Sequence, residues 1–141
     1  MSPAMFFASE PASLYWRRTF PAGLEQARAV RGFVSCLLAD CPYLDDVLLA
    51  AGELAVNALR HTKSGQVGGS FTVEVSRRDE GVAVSVADEG GPGEPAVTEA
   101  GELDESGRGL RTVSLTASSW GWHGNHEGRT VTAVFAGEWA A

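Results

Sequence analysis

Apolar residues in the first half of the chain recur at helical spacing. Between Pro21 and Pro42, and again over 44–60, they fall three or four positions apart, which gives each segment the single apolar face of an amphipathic helix. Proline is tolerated in the first turn of a helix and cannot continue one. We therefore expect the first helix to open at Pro21 and to end before Pro42. Asp45 and Asp46 suit the first turn of the second helix, where the helix dipole favours negative charge.

Strict alternation of apolar and polar residues predicts strands in the second half. The alternation is clearest over 71–76 and 82–87, and the DEG sequence between them is a hairpin turn signal. β-Branched and aromatic residues predict three more strands, at 14–20, around 120–122 and over 130–135.

The segment 89–108 is dominated by Gly, Pro and acidic residues. A loop of this length inside a small domain is often a lid or a binding loop, and helical spacing resumes over 109–117. We expect a flexible arm over 1–13 and one domain over 14–141. Grouped helices and hairpin-linked strands predict an α+β fold, a two-layer sandwich whose helices cover one face of a mixed, mostly antiparallel sheet.

Charge and cysteine content narrow the function classes. The 141 residues carry a net charge of −7, with no basic stripe to follow a phosphate backbone, so we expect no direct nucleic-acid partner. The two cysteines, Cys36 and Cys41, are too few for a disulfide framework. No secretory leader is recognisable at the start, and no apolar run reaches the roughly 20 residues of a membrane span. We expect a cytoplasmic protein that does not associate with membranes.

Three polar residues lie four positions apart on the second predicted helix. Glu53, Asn57 and His61 therefore share one helix face, beside the apolar stripe. An Asn carbonyl is a hard oxygen ligand suited to Mg²⁺, and a carboxylate one turn earlier can orient or deprotonate a hydroxyl. Taken alone, the pattern fits an ordinary solvated helix face better, because a Glu and an Asn four positions apart are common.

Three glycine-containing stretches are further candidates. Asp88 ends a strand and is followed by the glycines of DEGGPG, so its carboxylate can meet an exocyclic amine while the backbone approaches closely. The ESGRGL stretch opens a helix, with Ser106 as a candidate N-cap, and its N–H groups form an anion site. In GRT, the Thr130 hydroxyl can join Asp88 around a base. Each stretch alone also fits a plain turn or a capped helix.

The order and spacing of these stretches resemble a known family. ELAVNALRH, VADEGGPG, ESGRGL and GRTVTAVF are similar to the motifs of the Bergerat ATP-binding domain of gyrase-type ATPases, histidine kinases and heat-shock chaperones. The resemblance covers 20–135 and is closest to the single-domain anti-sigma-factor serine kinases. Two features depart from the commoner pattern: the Gly- and Pro-rich DEGGPGEP and an acidic lid.

The resemblance implies ATP and Mg²⁺ as cofactors and assigns roles to individual residues. Asn57 would bind Mg²⁺, Glu53 would be the general base for a partner's serine hydroxyl, and Asp88 would fix adenine. The other implied contacts are a base pocket at Gly90, Gly93 and Thr130, and a phosphate cradle at Gly107, Arg108, Gly109 and Leu110. His61 would have either a phosphate-side or a structural role.

The function implied is an anti-sigma-factor serine kinase. It would phosphorylate an anti-sigma antagonist of the STAS type, sequester a sigma factor and form a homodimer. A binding module that sequesters its partner with little kinase activity is the alternative, and a degenerate member that no longer binds ATP is a third interpretation.

Overall fold

The computed structural model describes residues 14–91 and 105–137, with the backbone alone over 105–108. Within these ranges the chain forms five strands, three α-helices and a short 3-10 helix. In chain order they are β1 (Leu14–Pro21), α1 (Gln26–Leu37), α2 (Leu44–His61), the 3-10 helix (Lys63–Gly65), β2 (Ser70–Arg78), β3 (Gly81–Asp88), α3 (Glu105–Thr116), β4 (Ser119–Asn125) and β5 (Gly128–Ala136).

The five strands form one sheet in the order β1-β2-β3-β5-β4. All four pairings are antiparallel, and β1 and β4 lie at its edges. The predicted α+β class is confirmed, and so is the hairpin that joins β2 to β3. The central position of β3 places its last residue, Asp88, in the middle of one end of the sheet.

The core lies between one face of this sheet and the helices. Side chains alternate between the two faces of a strand, and Val82, Val84 and Val86 of β3 are buried in the same cluster as residues of α1, α2 and α3. The other face carries polar pairs, with Ser85 Oγ 2.7 Å from Thr132 Oγ1. The sheet therefore has a helix-covered face and a more polar face, and each functional side chain must be assigned to one of them.

The predicted second helix is confirmed, whereas the first begins later than expected. Pro21 still pairs with Ser70 in the sheet, and a turn closed by the Gln26 N–H on the Gly23 carbonyl (2.9 Å) precedes α1. Pro21 therefore ends β1 instead of opening the helix, because its fixed φ is compatible with both positions. None of the helices in the described part of the chain is long and apolar enough to cross a membrane.

The predicted lid was too long at its carboxyl end. Helix α3 begins at Glu105, so the last four residues of the predicted 89–108 loop are helical and Ser106 lies inside the helix instead of at an N-cap. Gly107 and Gly109 weaken helix propensity, but packing against α2 overrides it. Residues 1–13, predicted as a flexible arm, and 92–104, the middle of the predicted lid, lie outside the described residues.

Candidate functional site

The polar face of α2 runs alongside the core and ends near the sheet. Glu53 is half-buried, the Asn57 side chain is buried with only 7% of its surface exposed, and His61 in the last turn is exposed. Glu53 and His61 are eight positions apart in the helix, which corresponds to about 12 Å along the axis. The three residues thus form a graded line from a half-buried carboxylate to a solvent-accessible imidazole.

Asp88, at the end of β3, presents a buried carboxylate. Its Oδ1 accepts a hydrogen bond from the Gly90 N–H at 2.7 Å. Burial raises the pKa of Asp88, while the Gly90 N–H and the Arg129 guanidinium pull the pKa down without fully cancelling the rise. An acceptor held in this way, out of bulk water, is suited to recognise a donor on a ligand.

The segment that follows Asp88 is tied to the end of α2 and to the 3-10 helix. Lys63 N–H donates to the Gly90 carbonyl at 2.8 Å, and Glu89 N–H donates to Ser64 Oγ at 2.9 Å. A Cβ built on Gly91 would lie 2.6 Å from the His61 carbonyl oxygen, so only glycine fits there without a shift. The acceptor Asp88 and the polar face of α2 are therefore fixed relative to each other by backbone contacts.

The register of β3 with β5 corrects the predicted role of Thr130. Thr130 pairs with Ala87, whereas Asp88 pairs with Arg129. Because alternate residues face opposite sides of a sheet, Thr130 points to the polar face and Arg129 to the helix-covered face, on the same side as Asp88. The residue of β5 that lies beside Asp88 is therefore Arg129, to which the motif assigns no role and which only the strand register reveals.

Helix α3 contributes the other end of the site. Gly109 and Leu110 are buried, and a Cβ built on Gly109 would lie 2.8 Å from Glu53 Oε2. The absence of a side chain at Gly109 thus leaves room for the Glu53 carboxylate. The backbone of Gly107 and Arg108 is in the first turns of α3, where free N–H groups favour anions. Gly93 lies outside the described residues.

A small cleft opens beside the end of α2. Its volume is about 340 Å³, and it is lined by Arg60, His61, Thr62, Lys63, Gln66 and Gly91. Basic residues in the last turn of a helix complement its dipole, so Arg60 and His61 have a structural reason to be there. Arg60 and Lys63 also make the cleft wall cationic. A larger cleft of about 660 Å³, between the end of β1 and the loop before β2, contains none of the predicted site residues.

Metal binding by protein groups alone is not built into this part of the chain. Among the side chains that the structure describes, those of residues 14–91 and 109–137, no three His, Cys, Asp or Glu groups converge on a common point. Asn57 offers a hard amide oxygen one turn from the Glu53 carboxylate, a donor set whose chemistry suits Mg²⁺.

The comparisons with known proteins agree with this arrangement. A model of the histidine kinase-like ATPase domain matches residues 20–135. The chain belongs to this family. No curated protein matches the chain at a significant level.

Two solved structures share the fold of this ATPase domain. The structure of the RsbU and RsbW domains of Rv1364c from Mycobacterium tuberculosis matches with a TM-score of 0.66 and 22% identity, over 87% of this chain and 32% of that chain. The SiaB–SiaC complex from Pseudomonas aeruginosa matches with a TM-score of 0.53 and 15% identity, over 94% of this chain and 95% of that chain. The chain thus spans about a third of the first of these, and at such identities the likeness shows the fold alone.

As a histidine kinase-like ATPase domain, the chain is an ATP-binding protein. The two ends of the binding region carry different chemical groups. Asp88 and Arg129 lie at the His61 end of α2, since a Cβ built on Gly91 would meet both the His61 carbonyl oxygen and Arg129 Nη2. Glu53 lies about two turns away, against Gly109 of α3. One end of the region therefore offers the buried carboxylate of Asp88, and the other offers the half-buried carboxylate of Glu53 beside a helix amino terminus.

Proposed function

We propose that this ATPase domain is an anti-sigma-factor serine kinase that transfers the γ-phosphoryl group of ATP to a serine of an antagonist protein of the STAS type. The observation that carries the proposal is the position of Glu53, half-buried one turn before Asn57 and lying against Gly109 at the start of α3. Phosphoryl transfer depends mainly on positioning and charge neutralisation. Glu53, Asn57 and the start of α3 supply groups for both.

Each residue has a distinct part in the proposed reaction. Asp88 accepts a hydrogen bond from the amine of adenine and orients the nucleotide, and Asn57 offers its amide oxygen to Mg²⁺. When bound, Mg²⁺ neutralises charge on the phosphates. The N–H groups of the first turn of α3, at Gly107 and Arg108, face the phosphate oxygens as a helix amino terminus does.

Glu53 acts on the acceptor. Its carboxylate takes the proton of the partner's serine hydroxyl while the serine oxygen bonds to the γ-phosphorus and ADP leaves with the bridging oxygen and its electron pair. A positioned general base of this kind typically contributes about a hundredfold to ten-thousandfold in rate.

Glu53→Gln tests this role with the smallest change of shape. We expect phosphate transfer to a STAS-type antagonist, measured with γ-labelled ATP, to fall about a hundredfold or more, while ATP affinity stays near the wild-type value. Asp46→Asn, an exposed carboxylate in the first turn of the same helix, is the control and should leave the rate unchanged. Transfer at the wild-type rate by Glu53→Gln would contradict the proposed general base.

Sequestration of a partner is the second candidate function. It is favoured by the edge strand β1, where 55% of the surface of Tyr15 and 46% of that of Leu14 is exposed. One structural neighbour is a complex of two proteins, SiaB and SiaC, which supports a search for a protein partner of this chain, a sigma factor or a second copy included. Glu53→Ala separates the two functions. Regulation of the partner that survives this change favours sequestration, and loss of that regulation favours the kinase.

A further inference from the structure

Arg129 is a buried cation beside the carboxylate that is proposed to recognise the base. The exposed fractions of the two side chains are 6% for Arg129 and 2% for Asp88, and Arg129 Nε lies 3.8 Å from Asp88 Oδ1. This separation is too long for a hydrogen bond, and Nε has no hydrogen-bond partner among the described residues. The pair is held together by charge and by the strand register that places the two residues opposite each other.

Stability alone does not account for a charged residue at this position. The next positions of β5 on the same face, Val131, Ala133 and Phe135, are apolar and buried, so an apolar residue at 129 would continue the core. Replacing a buried ion pair by apolar side chains is often neutral or stabilising, and a pair whose two side chains make no hydrogen bond to each other gains least from its burial. The charge at Arg129 therefore points to a role beyond packing.

The neighbours of Arg129 place that role at the base-recognising end of the site. A Cβ built on Gly91 would lie 3.2 Å from Arg129 Nη2 and 2.6 Å from the His61 carbonyl oxygen, so the guanidinium fills the space between the Asp88–Gly91 segment and the end of α2. Its Nε lies 3.8 Å from the same Asp88 Oδ1 that accepts the Gly90 N–H. The Arg129 guanidinium and the backbone N–H groups of Gly90 and Arg129 thus all act on this one carboxylate.

We propose that Arg129 is a positioning residue for base recognition: it holds the Asp88 carboxylate in the orientation that accepts an exocyclic amine, and so sets the preference for a 6-aminopurine nucleotide. This inference rests on the proposed nucleotide site and adds to it a residue to which the motif resemblance assigns no role. Arg129 acts through Asp88, so its effect should appear only for ligands that carry the amine.

The test compares two nucleotides that differ in that group. ATP carries the 6-amino group, and purine riboside triphosphate has a hydrogen in its place. In the wild type, we expect ATP to bind roughly ten- to a hundredfold more tightly, the value of a hydrogen bond to a charged group. Arg129→Met and Arg129→Gln should bring this ratio close to one, and Arg129→Lys, which keeps a cation near Asp88, should restore part of it.

Arg78→Met is the matched control. Arg78 is equally buried, with 5% of its surface exposed, but it lies at the opposite end of the β2–β3 hairpin, where it pairs with Gly81. Its replacement should leave the ratio at the wild-type value even where the protein becomes less stable. If Arg129→Met does not fold, the Gln and Lys variants decide the question.

Three results would overturn the inference, and they are distinguishable. Equal weakening of both nucleotides in the Arg129 variants, with the ratio unchanged, would make Arg129 a structural residue only. A wild-type protein that binds both nucleotides equally would remove amine recognition while leaving the nucleotide site intact. A folded wild-type protein that binds neither nucleotide would overturn the proposed function and this inference with it.

Discussion

At the scale of residues, the site depends on the way burial changes the chemistry of one carboxyl group. Asp88 is more deeply buried than the other acidic residues of the site, since Glu53 is half-buried and Glu89 is exposed. Removal from water disfavours the charged form of an acid, and the Arg129 guanidinium and the Gly90 N–H oppose this effect. The balance between them is measurable as a dependence of stability on pH.

We expect the contribution of Asp88 to the free energy of unfolding to decrease as the pH rises. The pKa of Asp88 is raised above its ordinary value of 3.8, chiefly by burial, so the folded protein binds this proton more tightly than the unfolded chain does. The contribution of Asp88 to stability is then present below pH 3.8 and is lost as the pH rises through the folded-state pKa. Urea unfolding of the wild type and of Asp88→Asn from pH 3.5 to 7.5 isolates this contribution, because the variant cannot titrate at this position.

The difference in the free energy of unfolding, wild type minus Asp88→Asn, should decrease as the pH rises. A difference that grows with pH would mean that the ion pair outweighs burial and that the pKa is lowered instead.

At the scale of elements, the turn after β3 connects the sheet to α2 and to the β4–β5 turn. Gly90 has a φ of +81°, in the left-handed region that disfavours residues with a Cβ. A Cβ there would also lie 2.3 Å from the His126 carbonyl oxygen. The same turn supplies the N–H that holds Asp88, so its conformation and the orientation of the acceptor are coupled.

Gly90→Ala should therefore lower the free energy of unfolding by more than the left-handed backbone conformation alone predicts. Gly68 is a matched control, because its φ is +82° but nothing lies within 4 Å of the position of its Cβ. We expect Gly68→Ala to lower the free energy of unfolding by about 1–2 kcal/mol, the cost of the left-handed conformation, and Gly90→Ala to lower it further. Gly90→Ala should also weaken ATP binding, measured by calorimetry, whereas Gly68→Ala should not. Equal losses in both variants would show that the contact with His126 is unimportant.

At the scale of the whole molecule, the sequence predicts the elements well and the faces of the strands less well. Long periodic segments such as α2 and the β2–β3 hairpin follow from hydrophobic patterning, because one face of each is buried. Thr130 was predicted beside Asp88 but lies on the opposite face of the sheet. A shift of one residue along a strand reverses the face, and the register of β5 is known only when it is paired with β3. Helix α3 starts at Glu105, earlier than local propensity predicts, because Gly107 and Gly109 disfavour helix whereas α3 as a whole packs against α2.

The residues of the candidate site likewise differ in how far the sequence alone predicts their positions. The spacing of four between Glu53, Asn57 and His61 is a property of the helix, so the sequence was sufficient to place them on one face. Arg129 depends on a pairing between strands 41 positions apart in the chain, Asp88 with Arg129, and no local pattern marks it. The contact of Glu53 with Gly109 likewise depends on how two helices pack.

The most direct test of the account is Mg-ATP binding by isothermal titration calorimetry, with the wild type, Asp88→Asn and Asp79→Asn measured side by side. Asp79 is an exposed carboxylate in the turn between β2 and β3, away from the site, and circular dichroism on each sample confirms that it is folded. We expect the wild type and Asp79→Asn to bind equally and Asp88→Asn to bind roughly ten- to a hundredfold more weakly. No binding by the folded wild-type protein, or undiminished binding by Asp88→Asn, would contradict the account.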